Sequence, residues 1–503
     1  MKAALLAAMA LATTLGACAS IADAPGALGS LAPVGTVDER YQSYNVEMVE
    51  VTGGRFWAPY DGPPGAMHRL RPPEDLADPR LRALARHLGP AFVRVSGSWA
   101  NSTYLEAEGE HLSAPPAGFN QVLTRDQWRG VLAFAKAVDA EVGVSFAVSD
   151  GTRDPGGAWT SGQAQRLIDL TRAEGAEIAF AEFINEPNFP ALAKLPNGYS
   201  AADYARDFAS FRDWARRSAP GMTIVGPGGV GESALDDLPV AVSGKPQSSD
   251  ELMRASPNSL QAVSYHFYGD VSQRCGAGRG KSADKAAALT PGWLDLTLRD
   301  WRYYASLRDK YEPGDPLWLT ETAQAACGGS PWAAGFLDTF RYVNQLGLLA
   351  QKGVQVVIHN TLAASDYGLL DEETRRPRPN YWAAVLWRRT MGTTVLASPP
   401  SPSPDVRTYA HCLRGKPGGV GLAALNLGDA AQPIAVGGPA QAWVMQATPL
   451  EAKSVTINGR LPRLEATGDL SGLDGTRVAG SASLPGKSVA FYAVSGARNP
   501  ACA

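Results

Sequence analysis

At 503 residues, 45% of them apolar and 19% charged, the chain is long enough for one large domain and a smaller one and rich enough in apolar residues to bury a core. A net charge of −3 and a pI of about 6.1, without any basic run that would track a polyanion, exclude nucleic acid as a partner. The 53 glycines and 37 prolines point to many loops and not to disorder.

The N-terminus reads as a targeting segment. Lys2 heads an apolar run, Ala3 to Thr14, too short to span a bilayer as a mature helix. Leu15-Gly16-Ala17-Cys18 follows it directly and resembles a bacterial lipoprotein box, with Cys18 as the lipidated residue. The alternative is an ordinary signal peptide cut near Ala17 or Ala19. Residues 1–18 are thus read as a signal peptide with its lipobox, and 19–38, rich in Ala, Pro and Gly, as a flexible tether. The protein is expected to be exported: anchored to a membrane only through the lipid, or else periplasmic or secreted. Export puts Cys275, Cys327, Cys412 and Cys502 in an oxidising compartment, where four cysteines allow three pairings.

From Tyr44 to Val51 the sequence alternates as a strand does, with Asn45, Glu47 and Glu50 as its polar members. Asp78-Pro79 caps a helix with the apolar stripe Leu81, Leu84, Ala85 and Leu88, and Gly89-Pro90 ends it. Strand and helix then alternate. Strands are expected at 91–95, 142–148, 177–184, 223–225, 262–268, 316–321 and 354–358. Helices are expected at 125–139, 161–174, 201–218, around 232–238, at 294–311, 332–352 and 381–391. That alternation is the mark of a parallel β/α fold. About eight strands in roughly 340 residues fit a decorated (β/α)8 TIM barrel over 39–395, its first strand region possibly shared with the next domain. No glycine-rich dinucleotide fingerprint follows the early strands, which argues against a doubly wound cofactor fold. After Leu396 the texture changes. Ser398-Pro399-Pro400-Ser401-Pro402-Ser403-Pro404 is a linker-like turn, and short β-like runs separated by turns such as Asn458-Gly459 follow. Residues 396–503 are read as a C-terminal antiparallel β-sandwich domain.

Asn185-Glu186-Pro187 stops the fourth strand, since proline lacks an N–H and biases the residue before it away from helix. Glu186 is therefore expected at the C-terminal mouth of the barrel, where catalytic side chains of this fold sit. Glu321 ends the seventh strand and faces the same mouth. Two carboxyls across one mouth are what glycoside hydrolysis needs: one protonates the leaving oxygen, and the other attacks the anomeric carbon or activates water. Glu186 must hold a proton near neutral pH while Glu321 is ionised, and their mutual repulsion raises one of the pair. His266 and Tyr268 are two apart on the sixth strand and so share a face; Tyr268 is placed to donate its hydroxyl to the nucleophile. Six histidines and scattered acids form no ligand-spaced cluster, so neither a metal nor a cofactor is implied.

Several separated segments, from about residue 40 to the end, resemble glycoside hydrolase family 79, the heparanase and β-glucuronidase family. They are 81–94, Asn185-Glu186-Pro187-Asn188, Trp318-Leu319-Thr320-Glu321-Thr322 with Gly328-Gly329, Asp366-Tyr367-Gly368-Leu369-Leu370-Asp371, and Arg407-Thr408-Tyr409-Ala410-His411-Cys412 with the tail Pro500-Ala501-Cys502-Ala503. The resemblance implies a retaining double displacement, with Glu186 as acid/base and Glu321 as nucleophile, on a carbohydrate bearing β-linked glucuronic acid. It implies that Gly328 and Gly329 amides with the Tyr367 hydroxyl hold the uronate carboxylate, and that Glu47, Asn185 and Ser98 hold sugar hydroxyls. It also implies a Cys412–Cys502 disulfide. Cys327 departs from the family by adding a residue between nucleophile and glycines, and Cys275, just past the sixth strand, could reach it and pin that loop. The segment excised from mammalian heparanase has no counterpart between Asn101 and Asp126, so a single uncut chain is expected. The basic clusters that would grip heparan sulfate are missing, which favours exo-acting β-glucuronidase over endo action. The other readings are another retaining β-glycosidase of the same barrel clan and a lipoprotein that binds glycans without cleaving them.

Overall fold

The computed structural model describes residues 27–63, 65–232, 246–276 and 284–503. The signal peptide, Cys18, the start of the tether and all but the first residue of the helix expected near 232–238 lie outside these residues.

Eight parallel strands close into a barrel. In chain order they are β1 (Gln42–Asn45), β2 (Ala91–Val95), β3 (Ala140–Ser145), β4 (Ile178–Glu182), β5 (Thr223–Val230), β6 (Ala262–Tyr268), β7 (Leu317–Ala323) and β8 (Val354–His359). Helices cover the outside, and β2 and β7 are buried on both faces, which is why each opens on an apolar run, Ala91-Phe92-Val93 and Leu317-Trp318-Leu319. Inside, Phe92, Phe180 and Trp318 form an aromatic plug with ring centroids 5.2–5.5 Å apart. Gly143 makes room for it, since a Cβ there would lie 2.1 Å from the Phe180 ring. Side chains two residues further along a strand point the same way. Above the plug, Phe92 therefore gives way to Arg94, Phe180 to Glu182 and Trp318 to Thr320. A polar layer thus sits on an apolar one, towards the C-terminal mouth.

The second body is an antiparallel sheet whose central strands are Val406–Leu413, Val420–Asn426, Ser488–Val494 and Ala440–Gln446. Its inner face, with Ala423, Leu425, Val489 and Phe491, joins the main core against the barrel helices Phe336–Gln351 and Pro379–Thr390. Gly347 lets the Tyr409 ring reach the first of these helices; a Cβ there would lie 2.1 Å from the ring. The outer face is covered by a two-stranded ribbon, Gln432–Ala435 with Ser481–Leu484. The expected sandwich is therefore lopsided, with barrel helices covering one face and only a ribbon the other. Cys412–Cys502 and Cys275–Cys327 are disulfides.

Three expectations are corrected. Pro33–Thr36, read as tether, is an edge strand paired antiparallel with Met391–Leu396. Leu28 is buried behind the sheet, and Asn499 Nδ2 donates to the Leu28 and Leu31 carbonyls, so apolar anchors hold a stretch whose composition suggests a linker. Met391–Leu396 itself belongs to the sheet, so the expected boundary at 395/396 falls inside a strand. Finally, Tyr44–Val51 is not one strand. β1 stops at Asn45, and a short helix, Met48–Thr52, follows, held by a capping box in which the Glu47 N–H donates to Glu50 at 2.7 Å. The alternating pattern there is outweighed by this local bonding.

Candidate active site

Arg94 is the hub of the polar layer. Fully buried on β2, it donates Nη2 and Nε to Glu182 at 2.6 and 3.0 Å, Nη1 to Glu321 at 2.9 Å and Nη2 to the Asn185 side-chain oxygen at 2.8 Å. Glu182 also accepts from Ser264 and Thr320, each at 2.6 Å. Burial opposes ionisation of Glu182, yet Arg94, His266 and these hydroxyls outweigh it and hold its pKa well below the usual range. A buried arginine left unpaired would cost several kcal/mol, so Glu182 is the counter-ion that lets Arg94 reach up to Glu321.

Glu321, near the end of β7, is almost fully buried. Oε2 faces Arg94, and Oε1 accepts the Tyr268 hydroxyl at 2.6 Å. Asn360 Nδ2 donates to the Tyr268 oxygen at 3.0 Å, so the phenol proton points at Glu321. Both oxygens of Glu321 thus accept from a fixed donor, which holds the side chain in place.

Glu186 lies four residues past β4 in a left-handed conformation, φ 53°. Its Oε1 is 3.1 Å from His266 Nδ1, and a Glu186 oxygen, a Glu321 oxygen and a His266 nitrogen lie within 4.8 Å of one another. Burial, reinforced by the charge of Glu321, raises the Glu186 pKa despite the His266 contact. Burial opposes charge on His266, but Glu321 and Glu182 outweigh it and push that pKa up to about 10. The grouping has the donor set of a cation site; here the Arg94 guanidinium supplies the positive charge beside it. Glu186 thus sits where burial favours its proton, and Glu321 where Arg94 and Tyr268 donate to its two oxygens. Carboxyls this close fit direct attack at the anomeric carbon better than the wider spacing that admits a water.

The other expected residues divide. Asn185 lines the mouth, and since its oxygen accepts from Arg94 and Ser96, its Nδ2 is the atom left for a ligand. Glu47 caps the 48–52 helix just past β1, and its Oε2 is buried without a partner in the mouth. Burial, then the charge of Glu321, raises its pKa well above the ordinary value. Only glycine fits at 97, where a Cβ would lie 1.6 Å from that oxygen. Ser98 and Tyr367 also line the mouth, with the Tyr367 hydroxyl 3.3 Å from Asn360 Nδ2. Gly328 and Gly329 are not among the lining residues, whereas Cys327 is. The Gly329 N–H is already donated to the Ala325 carbonyl, so it is not available to a carboxylate.

The mouth opens into a cavity of about 1760 Å³ walled by Trp57, Trp99, Phe189, Trp293 and Trp332. Among the described residues that line it, Asp and Glu outnumber Lys and Arg. Arg94, Glu182 and Asn360 were not anticipated from the sequence. Arg94 carried a usable signal: a lone arginine inside Ala91-Phe92-Val93-Arg94-Val95 must be paired if that strand is buried.

No family model matches the chain. It is 26% identical to heparanase of Mus musculus over 493 residues, covering 85% of this chain and 88% of that one. To heparanase-like protein 1 of Arabidopsis thaliana it is 26% identical over 379 residues, 71% of this chain and 65% of that one. Inactive heparanase-2 of Mus musculus, 24% identical over 393 residues, covers 71% of this chain and 62% of its own, so kinship does not by itself carry activity. Among solved structures, the GH51 arabinofuranosidase from Xanthomonas axonopodis pv. citri aligns at a TM-score of 0.63 and 14% identity, covering 92% of this chain and 97% of that one. A 4-O-α-L-rhamnosyl-β-D-glucuronidase from Fusarium oxysporum aligns at 0.61 and 14%, with the same coverage.

Proposed function

We propose, for a chain whose homologues are heparanases and heparanase-like proteins and whose barrel is that of the clan-A glycoside hydrolases, that it hydrolyses β-glucuronides with retention of configuration. The homologues and the fold support a retaining glycosidase; the glucuronide specificity is the further step. The observation that carries the chemistry is the pair Glu186 and Glu321, close together, the first with its pKa raised by burial and the second held by Arg94 and Tyr268.

Glu186 gives its proton to the glycosidic oxygen as that bond breaks. Glu321, held by Arg94 and Tyr268, attacks the anomeric carbon and forms a glycosyl ester. That ester removes the negative charge beside Glu186, which eases its second task of taking a proton from the attacking water. Asn185 Nδ2 and Glu47 Oε2 serve the sugar hydroxyls, with Ser98 at the rim. The uronate carboxylate is read by the Tyr367 hydroxyl and backbone amides at Cys327, which bind an anion without a buried lysine.

Wild-type protein should release p-nitrophenol from the β-glucuronide, and Glu321→Gln should lower kcat/KM by at least about a thousandfold. Proton NMR should show the β-anomer as first product. Tyr367→Phe should reduce the ratio of kcat/KM for the glucuronide over the β-glucoside. No release from any aryl glycoside would revive a binding role without cleavage, and an unchanged Tyr367→Phe ratio would point to a neutral β-glycoside.

Two features bear on the cutting mode. The acidic balance of the lining disfavours a sulfated polyanion and supports exo action on a terminal residue. The cavity volume exceeds the usual range of about 300–1,000 Å³ for a small-ligand site, which favours a second reading, endo cleavage of a weakly charged polymer. Product sizes from a glucuronan separate them: monosaccharide from the start for exo, a shifting oligosaccharide ladder for endo.

A further inference from the structure

The turn after β7 is gripped from one side only. In a peptide plane the C=O and N–H point to opposite edges. The Ala326 carbonyl accepts the Ser272 N–H at 3.1 Å. The Cys327 carbonyl accepts Arg274 Nη1 at 3.1 Å and the Ser272 hydroxyl at 2.9 Å. These bonds turn the next N–H groups, those of Cys327 and Gly328, to the edge away from Ser272 and Arg274. Among the described residues neither N–H meets a protein acceptor. The following two are spent internally: Gly329 N–H on the Ala325 carbonyl and Ser330 N–H on Gln324 at 2.8 Å. Cys327 and Gly328 have φ of 61° and 83°, both in the left-handed region.

Arg274 is itself over-determined. Nε donates to the Ala58 carbonyl and Nη1 to the Gly329 carbonyl, both at 2.6 Å; the guanidinium sits 3.7 Å over the Tyr60 ring and pairs with Asp366. Asp366 adjoins Tyr367, and Ser365 donates its hydroxyl to the Gly328 carbonyl at 3.0 Å. Cys275, the next residue, is bonded covalently to Cys327. A nearly fully buried guanidinium spending its donors on three carbonyls and one carboxylate is expensive as mere packing, because each bond must offset desolvation.

We infer that Arg274 and the Cys275–Cys327 disulfide are positioning elements that present the Cys327 N–H, with the Tyr367 hydroxyl, as the receptor for the substrate carboxylate. This rests on the glucuronide reading above. It moves the amide donor from Gly328-Gly329 to Cys327 and gives that additional residue a reason. It names Arg274 as a specificity residue that does not touch substrate.

The test compares an aryl β-glucuronide with the β-glucoside of the same aglycone. Arg274→Met should raise the glucuronide KM about tenfold with a smaller change in kcat, and lower the glucuronide-over-glucoside ratio of kcat/KM about tenfold. Arg274→Lys should recover part of that ratio. Because Arg274→Met removes the ion-pair partner of Asp366, the double variant Cys275→Ser with Cys327→Ser is the second arm, and its ratio should fall in the same direction. Equal loss on both substrates in both arms would make the strap a structural staple and overturn the inference. If Tyr367→Phe lowers the preference while both strap variants preserve it, the strap falls and the function stands. A wild type without glucuronide preference sinks the function itself.

Discussion

The barrel mouth and the face that joins the C-terminal sheet to the barrel are both buried, and they are built from opposite materials. At the mouth, Arg94, Glu182, Glu321, His266 and Asn185 exchange charged hydrogen bonds with almost no exposure. At the sheet, Ala423, Leu425, Val489 and Phe491 pack as an apolar surface whose polar ties include Tyr409 to Asn344 at 2.6 Å. Apolar burial stabilises by area and tolerates modest reshaping; a buried ionic network stabilises only while every member is matched. The mouth therefore spends its order on holding charges in place for chemistry, and the sheet supplies cohesion. Rate and stability should be separable between the two regions.

The largest effect tests the mouth. Glu186→Gln should lower kcat/KM by about 10²–10⁴-fold on a poor leaving group and far less on an activated phenol, which departs without a proton. The wild-type rate should fall as pH rises through the Glu186 pKa, which burial and Glu321 place above the ordinary 4.5, and that alkaline limb should vanish in the variant. An alkaline limb that survives in Glu186→Gln would assign it to another group. At the sheet, Phe491→Ala should cost about 3–5 kcal/mol in chemical denaturation, while kcat at a temperature where the protein stays folded holds within about twofold. A kcat collapse in the folded variant would mean that the sheet shapes the mouth after all.

The same contrast explains what could be read from the sequence. Strand-helix alternation is a repeating apolar pattern, and it places the barrel and the mouth positions of Glu186 and Glu321. Arg94 escaped because its meaning depends on three partners from β4, β7 and the loop after β4, none close in sequence. Glu47 was placed on the right side of the barrel but on the wrong element, since the alternation of 44–51 competes with a capping box that only the folded chain completes. Pro33–Thr36 hid in a linker-like composition because an edge strand needs only backbone groups and a neighbour with an open edge. Gly329 failed as an anion donor for a reason invisible to motif reading: its N–H is consumed by Ala325 inside the turn.

The smallest expected effect is the sharpest test, because it removes a single atom. Tyr268→Phe deletes the hydroxyl that donates to Glu321 at 2.6 Å and leaves the ring in place. Asn360 Nδ2, 3.0 Å from that oxygen, then loses one acceptor and retains the Tyr367 hydroxyl at 3.3 Å. A hydrogen bond to a charged group contributes about 1.5–3 kcal/mol, so kcat/KM should fall about 10–100-fold. The thermal midpoint should hardly move, since Tyr268 is only half-buried and water from the cavity can reach the site. Paired with Phe491→Ala, the outcome is a crossing: one oxygen lost at the mouth changes rate and leaves stability, and one ring lost at the sheet does the reverse. If Tyr268→Phe instead lowered stability and left the rate, the phenol would be a brace for the barrel rim and the orientation of Glu321 would have to rest on Arg94 alone.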